Sequence, residues 1–264
     1  MAEFIACMPR QLPSDKAIPA ASTAVRINPV NNPPVERIAS LAPQAALKPA
    51  FIAALTTKYW HNKRGVRLTV GFMDSSPADL RARIVSHLNA WGTTGNVVFT
   101  ESNTDPQVRI AREGGEMGGY WSYLGTDILH IEPDQPTMNL EAFTMQTPDE
   151  EFHRVVRHEA GHTLGFPHEH MRKDLVARID VQKAITLFTA TQGWSEAEVR
   201  AQVLTPLEER SLIGTPADQM SIMCYQLPGS ITTDGQPIVG GLDIDESDYE
   251  FVARLYPKDP APTA

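Results

Sequence analysis

Eleven residues, His158-Glu159-Ala160-Gly161-His162-Thr163-Leu164-Gly165-Phe166-Pro167-His168, carry side chains and spacing suited to holding a divalent metal. On a helix, residues four apart lie one turn above each other, so His158 and His162 present two imidazole nitrogens to one ion. Glu159 follows His158 by one position and is rotated toward an adjacent cleft. That is a poor place for a third ligand and a good one for a carboxylate that binds the metal's water. Gly165 permits a sharp positive-φ exit from the helix, and the next segment can return His168 as the third nitrogen. Three neutral nitrogens and a water form the open tetrahedral site that zinc uses for hydrolysis. At this composition the full pattern is a chance match on the order of one in 10⁴ to 10⁵.

Such a motif needs a helix, and one is signposted. Thr147 is a candidate cap, Pro148 suits the first helical position, and Glu150 can close a capping box. The helix is expected to run to Leu164 and stop at Gly165. His61, His87, His130 and His153 have no partner spacing and are read as structural. His170, two residues past His168, would face the metal only on a regular strand, so it is placed behind the ligands. The Asp243-Ile244-Asp245 step lacks the glycine and ligand spacing of a calcium loop and is read as the N-cap of a closing helix.

Around the motif, Val66, Leu68, Val70 and Phe72 alternate with Arg67, Thr69 and Gly71, a strand pattern. Pro77 opens a helix through Leu80, Ile84, Leu88 and Trp91 at helical spacing, ending before Gly92. Residues 96–100, 108–111 and 128–131 are short strand candidates, and the glycines of 114–119 mark a turn. Residues 194–204 are expected to form a surface helix and 246–255 the closing one. Strand, helix, then several strands point to a twisted mixed sheet with helices packed on it, an α+β arrangement.

The 264 residues carry a net charge of −9 with scattered Lys and Arg, which argues against nucleic acid or an anionic membrane as partner. No apolar run is long enough to span a membrane. Two cysteines, Cys7 and Cys224, exclude a disulfide scaffold and a cysteine-only metal cluster. Eight of the 21 prolines fall in the first 50 residues, so residues 1–54 are read as a loosely packed extension, a candidate pro-segment, and 55–264 as the catalytic domain. The N-terminus is a poor secretory signal, which leaves a cytoplasmic protein or one exported by another route.

With Ser221-Ile222-Met223-Cys224-Tyr225 downstream, the zinc motif resembles the metzincin peptidases, and among them the astacin family. The astacin-like residues are Gly165-Phe166, His168-Glu169-His170, Arg172, Asp174, and Ser221-Ile222-Met223 with Tyr225. Weaker echoes are Trp121-Ser122-Tyr123 with Gly125, and Asp248 to Tyr256. The resemblance implies a two-lobed metzincin fold: an upper lobe with a twisted sheet and two long helices, a zinc cleft, and a mostly irregular lower lobe with a C-terminal helix. It implies one zinc on His158, His162 and His168, Met223 in a tight turn beneath them, and Tyr225 as a fifth, switchable ligand that stabilises the oxyanion. Departures are Tyr120 and too few cysteines where the family carries paired disulfides, Leu175-Val176 where it carries Arg-Asp, and Cys224 inside the Met-turn. No Asp latch motif is recognisable, and Glu169 lacks the freshly cut N-terminus it contacts in the family if the extension stays attached.

The expected function is zinc-dependent endopeptidase activity on polypeptides, with Glu159 as general base and the protein acting as a monomer. The alternative is a zinc-holding binding module, silent because the extension plugs the cleft. Substrate is expected to pair with an edge strand, for which 128–131 is the candidate. A thiolate is a strong zinc ligand, so Cys7 is a candidate latch on the metal. Asp15 is an alternative latch, and a Cys7–Cys224 disulfide a third arrangement.

Overall fold

Alternation along β1 (Val66–Phe72) puts Val66, Leu68 and Val70 on a covered face and Arg67 on a wet one. In the computed structural model, which describes residues 7, 10–33, 53, 56–61, 63–115, 118–206 and 217–258, this strand sits inside a five-stranded sheet. Its neighbours are β2 (Val97–Glu101), β3 (Val108–Ala111), β4 (Tyr120–Ser122) and β5 (Met138–Leu140), in the order β2-β1-β3-β5-β4. All pairings are parallel except β4 with β5, so β4 is an antiparallel edge.

Two helices cover the apolar face. Helix α2 (Ala78–Leu88) contributes Leu80, Ile84 and Leu88 to the core, and Trp91 follows in a 3₁₀ turn. Helix α3 runs as Asp149–Glu151, a wider π segment Phe152–Val156, and Arg157–Thr163, burying Phe152, Val155, Val156 and Ala160. Its cap differs from the expectation. Thr147 Oγ1 accepts from the Thr144 backbone N–H at 3.0 Å, so the hydroxyl serves the preceding turn and Pro148 holds the cap position. Asp149, Glu150 and Glu151 complement the helix dipole instead.

A second apolar cluster joins Leu175, Ile179, Phe188, Trp194, Val199, Val203, Tyr225 and Ile238 below the cleft. Here α4 (Val181–Gln192) ends at Gly193 in the left-handed region, and α5 (Glu196–Val199) starts on a Ser195–Glu198 capping box and continues as Arg200–Leu204. This helix is no surface element: Val199 and Val203 are fully buried, and Trp194 lies outside it, stacked on Phe188. The closing helix α6 (Glu246–Leu255) starts at Asp245, whose side chain accepts from Asp248 N–H in a second capping box.

Two further expectations are corrected. Residues 128–131 form no strand; Gly125–His130 is a 3₁₀ turn that buries Ile128 in the core, and the sheet ends at Tyr120–Ser122. Within the extension, Ser14–Ile27 is a regular helix, α1, whose small residues Ala20, Ala21 and Ala24 let it pack closely. Lys16 Nζ fastens it to the Gly125–His130 turn by donating to His130 O at 2.9 Å and Glu132 Oε1 at 2.7 Å. Among the described residues no helix is long and apolar enough to cross a membrane.

Candidate active site

Helix periodicity delivers what the spacing implied. His158 and His162 stack along one face of α3, and the chain leaves at Gly165 with φ 98°, where Lys58 O crowds any side chain. The reversal brings His168 back, so that its Nε2 lies 3.2 Å from His158 Nε2 and 3.0 Å from His162 Nε2. Backbone carbonyls fix two of the rings. His158 Nδ1–H donates to Ile222 O at 2.6 Å and His162 Nδ1–H to Phe166 O at 2.7 Å, which leaves a lone pair on each Nε2. Burial holds His158 down to about 4 and His162 and His168 well below their ordinary value, so none is a cation. Two inward lone pairs facing a third imidazole with at most one shared proton is a donor set that a dication completes. The residues fit zinc.

Cys7 stands beside the three histidines. Its Sγ and one nitrogen from each of the three histidines all lie within 4.8 Å of one another. Burial, followed by the nearby Glu159 carboxylate, pushes the thiol well up. Cys7 and Cys224 are both free thiols that line one cavity with Glu159 and Tyr225, so no disulfide joins them. Asp15 is exposed in the first turn of α1, outside this group.

Glu159 is completely buried, and its carboxyl is pushed up to about 7, chiefly by burial, against hydrogen bonds from Cys7 and Ser122. Ser122 Oγ reaches Glu159 Oε2 at 2.9 Å and Glu159 O at 3.1 Å. Sequence spacing did not single out Ser122; 37 positions separate it from Glu159, and only its place on the edge strand unites them. The same edge binds the extension, because Arg10 N–H donates to Ser122 O at 3.0 Å and pairs in parallel with Tyr123. The Arg10 guanidinium also lies 4.7 Å over the Trp121 ring.

Beneath the histidines, Ser221 O accepts from Cys224 N–H and closes the tight turn. Met223 lies directly under α3: a Cβ at Gly161 would meet its Sδ, so any larger residue there must displace the Met223 side chain. Tyr225 is buried with its ring centroid 4.2 Å from that of His168, and burial raises its phenol, with Cys7 and Glu159 adding to the effect. Asp248 of α6 holds the turn by accepting from Ser221 Oγ at 2.6 Å and Ile222 N at 2.9 Å. Ile222 O in turn orients His158, so α6 reaches the histidines through one residue. Asp248→Ala would strand both donors in a buried site. It is expected to cost about 2–4 kcal/mol and to lower the thermal midpoint by roughly 5–12 °C, measured by calorimetry. An unchanged midpoint would remove Asp248 from this role.

Two further polar clusters among the described residues have partners of their own. His87, Asp149 and His153 converge, but Arg83 pairs with Asp149 at 2.9 Å and Arg157 donates to His153 Nε2 at 3.2 Å and to Asp243 at 2.6 Å. Guanidinium groups already supply the cations of that cluster. Glu169 pairs with Arg172 at 2.7 Å and accepts from Asp218 N–H, so it has partners within the described chain.

Comparison with known proteins agrees with this geometry. The sequence model of the astacin peptidase family matches residues 54–237. Zinc metalloproteinase nas-27 of Caenorhabditis elegans is 30% identical over 115 residues, 43% of this chain and 24% of that protein, so the chain spans about a quarter of the curated relative's length. Among solved structures, myroilysin superposes with a TM-score of 0.71 at 29% identity, over 77% of this chain and 97% of that one. A hatching enzyme zinc-protease from the medaka fish Oryzias latipes shares the fold at a TM-score of 0.51 and 19% identity, covering 75% of this chain and 94% of that one. With a family match over more than half its length and the same α+β architecture as these neighbours, the chain belongs to the astacin family of zinc metallopeptidases.

Proposed function

We propose that this protein is a zinc-dependent endopeptidase whose N-terminal extension occupies its own cleft. The observation that carries the reading is the convergence of three histidine Nε2 atoms with a buried carboxylate beside them. His158, His162 and His168 would hold the family's single zinc, with Tyr225 as a further ligand. When bound, the metal lowers the pKa of its water toward about 7 and polarises the scissile carbonyl.

The chain's own residues supply the rest. Glu159 takes the attacking water's proton and later passes it to the leaving amine, and a carboxyl raised to about 7 is poised for both transfers. Ser122 Oγ ties down Oε2 and leaves Oε1 for the water. The Tyr225 hydroxyl donates to the developing oxyanion. The β4 edge offers Ser122 O to a substrate backbone, which selects extended polypeptides with modest sequence demand. Tyr225→Phe is expected to keep its zinc and to slow kcat by roughly 10- to 100-fold, as for loss of one oxyanion donor. An unchanged kcat would leave the ring with packing alone.

The alternative, a zinc-holding module that never turns over, draws on the same extension. Residues 1–54 are proposed as an inhibitory pro-segment: Arg10 takes the β4 edge, α1 rests on the turn beside it, and Cys7 stands among the histidines as a zinc-ligating latch. A fluorogenic peptide assay on full-length and Cys7→Ser protein, with and without chelator, separates the readings. Chelator-sensitive cleavage establishes the peptidase. Zinc-loaded protein that is silent in both forms establishes the binding module.

A further inference from the structure

Tyr225 packs in one ring cluster with two imidazoles, which also touch each other. The His168 ring lies at 4.2 Å and 50°, and the His170 ring lies at 4.1 Å and 14°, a parallel stack. His170 is fully buried, and its Nε2–H donates to Gln202 O at 3.0 Å, which anchors the ring to the Arg200–Leu204 segment. Its Nδ1 has no hydrogen-bond partner among the described residues. A buried imidazole with one nitrogen spent on an anchor and the other on nothing is placed there for its ring. A parallel shelf permits a phenol to slide in its own plane and opposes tilting out of it.

We propose that His170 is a positioning residue for Tyr225: its anchored ring, stacked on the phenol, keeps the Tyr225 hydroxyl directed at the three-histidine site. The inference rests on the reading of Tyr225 as a ligand and oxyanion donor, and it adds a residue that touches neither metal nor substrate. Two substitutions divide the side chain's properties. His170→Gln keeps a donor for Gln202 O and removes the ring; His170→Phe keeps the ring and removes the donor.

The test uses full-length protein in a Cys7→Ser background with copper(II) in place of zinc, because a phenolate bound to copper gives a visible charge-transfer band. Copper content is measured alongside, and Tyr225→Phe supplies the zero. His170→Phe is expected to retain the band. His170→Gln is expected to lower it about three- to tenfold at equal copper content, with kcat of the zinc form falling in parallel and KM unchanged. A full-strength band in His170→Gln, or a band lost in His170→Phe and kept in His170→Gln, overturns the assignment. Absence of the band in the Cys7→Ser parent instead removes Tyr225 from the metal, and the role of His170 with it.

Discussion

Glu159→Gln in the Cys7→Ser background is expected to keep its zinc and its melting temperature and to lose about 10³- to 10⁴-fold in kcat/KM. The amide is isosteric, and its carbonyl oxygen can still accept from Ser122 Oγ, which now reaches Oε2 at 2.9 Å. What the amide lacks is a lone pair basic enough to take the water's proton. Zinc affinity should be unaffected, since Glu159 is not among the proposed ligands and two of the three imidazoles are fixed by Ile222 O and Phe166 O, neither of which involves Glu159. Metal content by mass spectrometry and steady-state kinetics decide the matter. Activity above a tenth of the parent's would remove Glu159 from its role.

Cys7→Ser alone is expected to raise peptidase activity at least about tenfold over the full-length protein. A ligand tethered to the same chain binds at an effective concentration in the millimolar range, and a thiolate is a far better zinc ligand than a serine hydroxyl. Cys7 Sγ stands within 4.8 Å of the three histidine nitrogens, and the same thiol hydrogen-bonds Glu159, so the extension engages both the histidine cluster and the neighbouring carboxyl. Burial pushes this thiol up, so the latch forms only where zinc itself drives the proton off. A second readout follows: the thiol should react slowly with a disulfide reagent in zinc-loaded protein and faster after chelation. A sulfur about 2.3 Å from zinc in a metal-loaded crystal would establish the ligation directly. Equal activity of the two proteins would discard it. The ion pair between half-buried Lys16 and exposed Glu132 contributes little to holding the extension. The helix α1 and the β4 pairing at Arg10 must carry the rest.

The local part of this site is written in the order of residues. Two histidines four apart on a helix must share a face, glycine at 165 must be able to take φ 98°, and Asp245 ahead of α6 must seek an N-terminal amide; each follows from geometry within one or two turns. The alternation in β1 and the burial of α2 were legible for the same reason. Where the reading went astray, competition between neighbours decided. Thr147 gave its hydroxyl to Thr144, and Ile128 reached the core from a 3₁₀ turn rather than a strand.

Only the tertiary structure placed Ser122 on Glu159, Asp248 on the Ile222 peptide, His170 flat against Tyr225 and Cys7 among the histidines. Most of these pairs are separated by tens to more than a hundred positions. Periodicity records which face a residue occupies on its own element and carries no term for which element will pack against that face. The histidine spacing is a property of one helix and the turn that leaves it, and it survives in the sequence; the groups that orient the histidines and contact Glu159 meet only when the sheet edge, the Met-turn and the extension close on that helix.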